Sequence, residues 1–390
     1  MNKTGFTLVE LLAVIVILAI LVIIALPNVL KMFNDAKKNS FVTETKTVYS
    51  EVSKKYISES MKGNKLTYVS SEDDTKLEMT GRDLQYCVFL NDDGTIKSMK
   101  VSNGEYIAEL PSGKKIIDLK STDLKNGNLD DYDCANPFKS DSWEEIAANA
   151  KICINDEENC PYDVGDEKEV DVGTYGRHKI RIANMSTPNE CNDSDFSQSA
   201  CGFVLEFVDV IAAHNMNPAE EYKGKSYDVG WNKDGWPESK MYKFLNDEDL
   251  DGTNDKELSI MKALPNDLKN VIIDTKTVSG RGNEDTVEYF TSTDKLYLLG
   301  PKEIYSDWSN QYALEKDFTR QLDYYNMMKV SSKSNVNPAI KKSGETEVNY
   351  WLRTANTVRN YYFYRVNYYG PGSYGTADGV SGVSPAFRIG

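Results

Sequence analysis

A long, mainly apolar segment near the amino terminus constrains this chain of 390 residues more than any other feature. The segment runs from Phe6 to Leu26, a span of 21 residues, and no polar side chain lies between Leu11 and Leu26. At about 1.5 Å of rise per residue, a helix of this length reaches about 30 Å, which is the thickness of a bilayer core. Residues 6–27 are therefore predicted to form a helix that can span a membrane.

Two residues in this segment have special consequences. A carboxylate costs about 2.5–3.5 kcal/mol at the centre of a membrane-spanning helix, so Glu10 requires a partner or a function. Pro27 lacks a backbone N–H and disfavours helical geometry at the residue before it. We therefore expect a kink or local melting of the helix at Pro27.

The motif from Gly5 to Glu10, Gly-Phe-Thr-Leu-Val-Glu, resembles the class III signal of type IV pilins and pseudopilins. The resemblance implies that a prepilin peptidase removes residues 1–5, that Phe6 is N-methylated, and that Glu10 pairs with the Phe6 ammonium of a neighbouring subunit. It also implies other pilin subunits and a pilus assembly platform as partners. The prepilin would be a single-pass protein of the cytoplasmic membrane, and the mature chain part of an extracellular filament on the cell surface.

The alternatives to a prepilin signal are an ordinary secretory signal peptide and an uncleaved anchor. An ordinary signal ends in a small-residue cleavage site after its apolar core. Here the core continues into Pro27 and a long helical pattern, which favours the pilin-like interpretation.

Charge is distributed unevenly along the chain. The net charge is −15, and residues 1–60 carry seven lysines and five acids, or +2, which leaves −17 for the remaining residues. Such an acidic body argues against nucleic-acid binding through the phosphate backbone. It is typical of a secreted domain that faces water.

The six cysteines form an even set without a Cys-x-x-Cys pair, and the chain has only two histidines. Zinc ligation is therefore poorly supported, and disulfides are expected outside the membrane. Free buried thiols are the alternative for some of the cysteines. Nearest-neighbour pairing within domains is the simplest arrangement, and it predicts the pairs Cys87–Cys134, Cys153–Cys160 and Cys191–Cys201.

Residues 28–120 are predicted to form a pilin-like head of the α+β class. Strand patterns over 84–90 and 95–101 flank a hairpin turn at 91–94, and a third strand is predicted over 106–110. The polar, turn-rich residues 121–141 are interpreted as a linker that contains a disulfide loop. The long helix is expected to continue past the membrane as an amphipathic helix that packs on this head through Leu30, Phe33, Phe41, Val48, Val52 and Tyr56.

A second, mixed α+β domain is predicted over residues 142–390, beginning with a helix that Ser142 caps and Glu145 supports. It resembles an uncharacterised domain of bacterial surface proteins. Its closing pattern, Trp351-Leu-Arg353 followed by Pro385-Ala-Phe-Arg-Ile389, is similar to the end of C-type-lectin-like folds. The first resemblance is carried by Tyr162–Asp166, Tyr175–Asn184, Gly235–Asn246, Leu264–Lys269, Thr293–Leu299, Tyr350–Arg353 and Gly382–Ile389.

Residues 360–375 are dense in Tyr, Asn, Ser, Gly and Arg, a composition that antibodies use for contact surfaces. One interpretation is a ligand-binding face for a surface or host ligand. The alternative is strand alternation, which would place half of the rings in the core, and Trp351, Arg353 and Phe387 are assigned to the core in either case. The ligand-binding candidates are Tyr361, Tyr362, Tyr364, Arg365, Tyr368, Tyr369 and Tyr374.

An acidic loop is a weak calcium candidate through Asp247, Asp249, Asp251 and Asp255. Alternate side-chain oxygens and a glycine that lets the chain turn are features of calcium loops. The twelfth position is Leu258 rather than Glu, so an EF-hand is not predicted. A solvated acidic loop is the alternative.

No enzymatic activity and no required cofactor are expected. Cysteine and histidine are absent after Cys201 and His214, which excludes Cys-His or Ser-His catalysis within the remainder of the chain. Two functions are consistent with the sequence. The first is a minor or tip pilin that displays an adhesin-like domain. The second is a major pilin, or a pseudopilin of a secretion or DNA-uptake filament, in which the second domain is a structural spacer.

Overall fold

The chain divides into two compact units, Met1–Ala135 and Asn136–Gly390. This division lies within residues 121–141, the stretch interpreted as a linker. The computed structural model describes residues 8–79, 83–111, 113–130, 132–219, 221–222, 225–226, 231–247, 249–253, 257–283, 286–308 and 318–390.

Helix α1, Leu8–Met61, is a continuous helix of 54 residues that includes Pro27. The local melting expected at Pro27 is therefore wrong, whereas a bend of the axis there stays a prediction. A proline removes a single backbone donor, and the turns on both sides keep their own hydrogen bonds, so a long helix can continue through it. By length and composition, α1 can cross a membrane.

The carboxyl-terminal half of α1 packs on a sheet, whereas the first half does not. Phe41, Val48 and Val52 are fully buried, but Leu30 and Phe33 are exposed, so the packing predicted for these two is wrong within this unit. The reason is size. A strand of seven residues spans about 23 Å and five adjacent strands about 19 Å, so one small sheet covers roughly 13–15 residues of helix.

The sheet of the first unit is an antiparallel meander in which neighbouring strands follow one another in sequence. It contains the predicted hairpin and third strand, and its last strand draws residues 125–126, assigned to the linker, into this unit. The strands are β1 Tyr68–Ser70, β2 Gln85–Leu90, β3 Ile96–Ser102, β4 Tyr106–Leu110 and β5 Lys125–Asn126.

One glycine allows the hairpin turn to pack closely against the helix. Gly94 has a φ of +84°, and a Cβ at this position would overlap the ring of Tyr56. The Tyr56 hydroxyl donates a hydrogen bond to the Asp92 carbonyl at 2.6 Å. Only glycine satisfies both the turn and the close approach of the ring, so the β2–β3 turn is fixed against α1.

The second unit contains short helices and strands. Ser142 caps its longest helix as predicted: the Glu145 N–H donates to the Ser142 Oγ at 3.3 Å, and the Ser142 N–H donates to the Glu145 Oε2 at 2.8 Å. The helices are α2 Pro137–Ser140, α3 Trp143–Asn155, α4 Lys240–Asn246, α5 Ile260–Ala263, α6 Asn266–Lys269, α7 Pro301–Ile304 and α8 Asp323–Met327. The strands are β6 Glu167–Asp171, β7 Arg177–Asn184, β8 Val204–Phe207, β9 Ala212–His214, β10 Glu221–Tyr222, β11 Lys225–Ser226, β12 Ile272–Ile273, β13 Thr275–Gly280, β14 Tyr289–Asp294, β15 Tyr297–Leu298, β16 Lys341–Ser343, β17 Thr346–Val348, β18 Tyr350–Ala355, β19 Tyr362–Val366, β20 Gly372–Thr376, β21 Ser381–Val383 and β22 Pro385–Ile389.

Two larger sheets organise the second unit. One has the order β12-β22-β8-β7-β6, with β15 also paired to β22, and the other has the order β20-β19-β18-β21-β9. Trp351, Arg353 and Phe387 are fully buried, as the sequence predicts for core positions. The chain therefore has a long helix, antiparallel and mixed sheets, and the α+β class that was expected.

A buried polar cluster connects several elements of this unit. Glu206 on β8 accepts hydrogen bonds from Arg181 Nε at 2.8 Å, Lys341 Nζ at 2.9 Å and the Tyr325 hydroxyl at 3.0 Å. Burial lowers the pKa of Lys341 and raises that of Tyr325. Because β7, β8, β16 and α8 each contribute a side chain, the cluster ties four elements of the unit together.

All six cysteines lie in disulfides, and the pairs are the three predicted from nearest neighbours. The Cα–Cα distances are 5.6 Å for Cys87–Cys134, 4.3 Å for Cys153–Cys160 and 6.0 Å for Cys191–Cys201. Each bridge lies within one unit.

Candidate functional site

The first candidate site is the amino-terminal part of α1. Glu10 lies in the first turn of the helix, and the side chains around it are exposed. The described part of the chain buries none of the most apolar window of this helix. Gly5 and Phe6 lie outside the described residues, so their cleavage, methylation and pairing with Glu10 stay predictions. An apolar helix left open in this way is suited to lipid or to neighbouring helices.

The second candidate site is the hairpin formed by β19 and β20. In its antiparallel register, Tyr362 lies opposite Thr376 and Tyr364 lies opposite Tyr374. The turn is closed by the Asn367 N–H, which donates to the Pro371 carbonyl at 2.9 Å. Tyr362, Tyr364 and Tyr374 therefore lie on one face of the sheet, and contacts from outside the hairpin decide which of them reach solvent.

Three tyrosines come together at one end of this hairpin. The Tyr361 and Tyr362 rings meet edge to face with centroids 4.5 Å apart, and the Tyr362 and Tyr374 rings lie 4.6 Å apart. Tyr374 is 52% exposed. Burial and the neighbouring Tyr361 raise the pKa of Tyr362. We refer to Tyr361, Tyr362 and Tyr374 as the tyrosine surface.

Two further candidates, Tyr368 and Tyr369, occupy the turn at the other end of the hairpin. They are 53% and 52% exposed, and their rings meet edge to face at 4.9 Å. Four residues of β19, 363–366, separate this turn from Tyr362, and two residues of β20, Gly372 and Ser373, separate it from Tyr374. The predicted set is therefore split into two exposed groups.

Tyr364 does not belong to either group. It is 1% exposed, its ring meets Trp308 edge to face at 5.6 Å, and its hydroxyl accepts a hydrogen bond from Asn356 Nδ2 at 3.1 Å. Its prediction as a ligand-binding residue is wrong. Trp308 covers this part of the sheet face, a long-range contact that strand alternation alone cannot reveal.

Arg365 points to the other face of the sheet by strand alternation. It is half-buried, its Nη1 donates to the Ser381 Oγ at 3.3 Å, and burial lowers its pKa. A Cβ at Gly375 would lie 3.0 Å from this Nη1 and 2.9 Å from Trp351. Arg365 therefore packs over a glycine beside the core, on the face opposite to Tyr362 and Tyr374, and its role in ligand binding stays a prediction.

Arg359 was missed by the sequence reasoning. It is exposed and lies in the turn before β19, where the Tyr362 N–H donates to the Arg359 carbonyl at 3.4 Å. Its own N–H donates to the Asn356 Oδ1 at 2.9 Å. An arginine two residues before the pair Tyr361-Tyr362 is the signal that could have identified it.

Two asparagines hold this turn in place. The buried Asn232 donates through Nδ2 to the carbonyls of Asn356, Arg359 and Tyr362 at 2.7, 2.8 and 2.9 Å. Asn283 Nδ2 donates to the carbonyls of residues 357 and 358, each at 2.9 Å. Because its backbone carbonyls are fixed by side chains from elsewhere in the unit, the turn is preorganised for contact.

The acidic loop has local roles in the structure. Asp247 Oδ1 accepts a hydrogen bond from the Asp249 N–H at 2.9 Å, and Asp251 Oδ1 accepts from the Thr253 N–H at 3.0 Å. Within the described ranges, no group of His, Cys, Asp or Glu side chains is arranged to hold a metal. Asp255 lies outside those ranges, so calcium binding by the full set stays a prediction.

Comparison with known proteins assigns two parts of the chain. The family described as "Prokaryotic N-terminal methylation motif" matches residues 1–26, and the family described as "Domain of unknown function (DUF6273)" matches residues 209–390. No curated protein and no solved structure matches the chain, so the expected lectin-like fold has no support. The chain thus has the amino-terminal signal of a type IV pilin-like subunit, which together with the apolar part of α1 fits a membrane-anchored prepilin, and its second unit contains a domain of unknown function.

Proposed function

We propose that this chain is a minor subunit at the tip of a type IV pilus-like filament and that its second unit binds a ligand on a surface or host cell. The observation that carries the proposal is the tyrosine surface, in which Tyr374 is exposed and Tyr361 and Tyr362 are half-buried, beside a turn that Asn232 holds in place. Tyrosine offers a large contact area with few rotamers to order, and its hydroxyl tolerates water.

Size supports a tip position. The second unit runs from residue 136 to residue 390, and a domain of this length has a radius of gyration of about 18 Å. Helices packed side by side lie about 8–10 Å apart. A filament in which every subunit carried such a domain would have to place it far outside the helical core, whereas a single copy at the end meets no such crowding.

The proposed partners are other pilin subunits through α1, the prepilin peptidase, the assembly platform and the ligand. The mature protein would be extracellular. We propose no catalytic role. The cysteines are all in disulfides, His178 Nε2 contacts the Tyr175 carbonyl, and His214 contacts the Asn215 carbonyl through Nδ1 and Glu257 Oε2 through Nε2 at 3.2 Å. The acidic body gives no basis for nucleic-acid binding.

Immunogold labelling of filaments, tip against shaft, tests the position of the subunit. We expect label at filament ends. A sheared filament preparation composed mainly of this chain, or label along the whole shaft, would instead establish a major subunit whose second unit is a spacer.

Cell binding tests recognition separately from position. Filaments that carry Tyr374→Ala or Tyr361→Ala should bind target cells more weakly than wild type. Val287→Ala and Met327→Ala change exposed apolar residues outside the tyrosine surface and serve as matched controls. Wild-type binding by the tyrosine variants would contradict the recognition role.

A further inference from the structure

The carboxyl-terminal part of the chain is basic, although the protein as a whole is acidic. Residues 350–390 contain four arginines, one aspartate and no lysine or glutamate, a net charge of +3, whereas the whole chain carries −15. The tyrosine surface lies within this basic stretch. The tyrosine surface is therefore built on a stretch whose own charge is opposite in sign to that of the whole chain.

Of these four arginines, Arg359 is the one available to a ligand. Arg353 is fully buried against Glu303, and Arg365 and Arg388 are half-buried in the sheets. Arg359 is exposed and pairs with no carboxylate of the described residues. Its carbonyl is held by Asn232 and by the Tyr362 N–H, which places the residue directly beside the tyrosine surface.

The rings and the guanidinium together indicate the chemistry of the ligand. The flat face of an aromatic ring carries partial negative charge and attracts the C–H groups on one face of a sugar ring. Tyrosine hydroxyls can also donate hydrogen bonds to sugar hydroxyls and accept hydrogen bonds from them. A guanidinium binds carboxylate or sulfate oxygens with two parallel hydrogen bonds. At physiological ionic strength charges are screened beyond about 8 Å, so a bound anion interacts with Arg359 more strongly than with distant acids.

We propose that the tyrosine surface binds an anionic saccharide, with sugar rings lying on the tyrosine rings and a carboxylate or sulfate group paired with Arg359. This inference rests on the proposed recognition function and specifies its ligand class. It excludes neutral glycans, because they have no anionic group to pair with the Arg359 guanidinium. It also excludes polyanions without sugar rings, because they have no ring to pack on the tyrosines.

The test measures binding of full-length protein in detergent micelles to four probes. Hyaluronan carries carboxylates and chondroitin sulfate also carries sulfates; dextran is a neutral glycan, and polyglutamate is an anion without sugar. We expect binding to one or both of the first two and none to dextran or polyglutamate. The probe that binds distinguishes carboxylate recognition from sulfate recognition.

Variants connect binding to the named residues. Arg359→Gln should weaken binding about tenfold or more, since a hydrogen bond to a charged group contributes about 1.5–3 kcal/mol. Tyr374→Ala should weaken it several-fold. Arg177→Gln removes an exposed arginine outside the basic stretch and should leave binding unchanged. Unaltered tryptophan fluorescence would show that each variant remains folded.

Several results would overturn the inference. If polyglutamate binds as tightly as the anionic saccharides, the site recognises negative charge alone and not a sugar. If dextran binds as tightly as they do, the site does not require an anionic group. If Arg359→Gln and Arg177→Gln change saccharide binding equally, Arg359 is not the residue that binds the anionic group. If the tyrosine variants lose cell binding but neither anionic saccharide binds, the ligand class is wrong while recognition stands. If cell binding is untouched by the tyrosine variants, recognition itself is wrong.

Discussion

Arg353 and Glu303 form a two-pronged ion pair in which both side chains are completely buried. Arg353 Nη1 donates to Glu303 Oε2 at 2.6 Å, and Nη2 donates to Oε1 at 2.7 Å. The carboxylate also accepts from the Gly300 N–H at 2.7 Å and the Thr319 hydroxyl at 2.9 Å. Arg353 lies on β18, the strand paired with tyrosine-bearing β19, so this pair fixes the strand that supports the tyrosine surface.

Replacing Glu303 with Gln should destabilise the second unit by about 3–5 kcal/mol, because it leaves the Arg353 charge buried without a counterion. All five tryptophans lie in the second unit, so denaturant unfolding followed by tryptophan fluorescence reports on that unit. Glu347→Gln, at an exposed position, is the control and should change stability by less than about 0.5 kcal/mol. Equal midpoints for the two variants would contradict this assignment.

Removal of the Cys87–Cys134 bridge should lower the stability of the first unit. This loss should be larger than the loss in the second unit when either of the other two bridges is removed. The bridge closes a loop of 47 residues, against 7 and 10 for the other two. Loop-closure entropy then gives about 4 kcal/mol for the first bridge and about 2.5 kcal/mol for each of the others.

Hydrogen exchange of residues 85–110 in the double variant Cys87→Ser, Cys134→Ser measures this effect. Tryptophan fluorescence should stay unchanged in that variant and should shift in Cys191→Ser, Cys201→Ser, which serves as its control. If the hydrogen-exchange protection of residues 85–110 is unchanged, the bridge contributes little to the stability of the first unit.

Asp294 should make the second unit less stable as pH rises above about 4. It is fully buried, its Oδ2 accepts from Trp236 Nε1 at 2.9 Å, and burial raises its pKa. The folded state therefore holds the proton more tightly than the unfolded state, whose pKa is about 3.9. Folding stability is then lost as pH rises from that value through the folded pKa.

Asp294→Asn removes this titration. Relative to wild type, the variant should gain stability between pH 4 and pH 7, at about 1.4 kcal/mol for each pKa unit of the shift. Asp267→Asn, at an exposed aspartate, is the matched control and should not change the slope. A stability difference between variant and wild type that is the same at both pH values would refute the prediction.

Glu10→Ala and Glu10→Gln should both abolish or strongly reduce incorporation into filaments, because each leaves the Phe6 ammonium of a neighbouring subunit without its carboxylate. The measurement is the amount of the chain in sheared filaments relative to the membrane fraction. Glu347→Gln controls for expression. Protein sequencing should find Phe6, methylated, as the first residue of the mature chain, and normal incorporation of Glu10→Ala would exclude the proposed pairing.

Local signals in the sequence predicted local structure well. The turn at residues 91–94, the cap at Ser142 and the burial of Trp351 each depend on neighbours a few residues away or on strand alternation. Tyr364 could not be assigned in this way, because Trp308, which covers it, is distant in sequence. Likewise, Leu30 has the spacing of a packed residue, but spacing does not reveal where a small sheet ends.

The candidate site was predicted only in part, for the same reason. Tyr361, Tyr362 and Tyr374 follow from composition, but their gathering at one end of a hairpin requires the register of β19 and β20. The backbone of Arg359 is held beside these tyrosines by Asn232, which lies more than one hundred residues earlier in the chain. Contacts of this range are set by the closed fold and leave no periodic pattern in the chain.

Strand β22 lies inside its sheet, paired on one side with β8 and on the other with β12 and β15. Since residues 385–389 complete the hydrogen bonding of strands that precede them by up to about 180 positions, this sheet cannot close before residues 385–389 have been synthesised. Its three earlier partner strands, β8, β12 and β15, therefore have open edges until then.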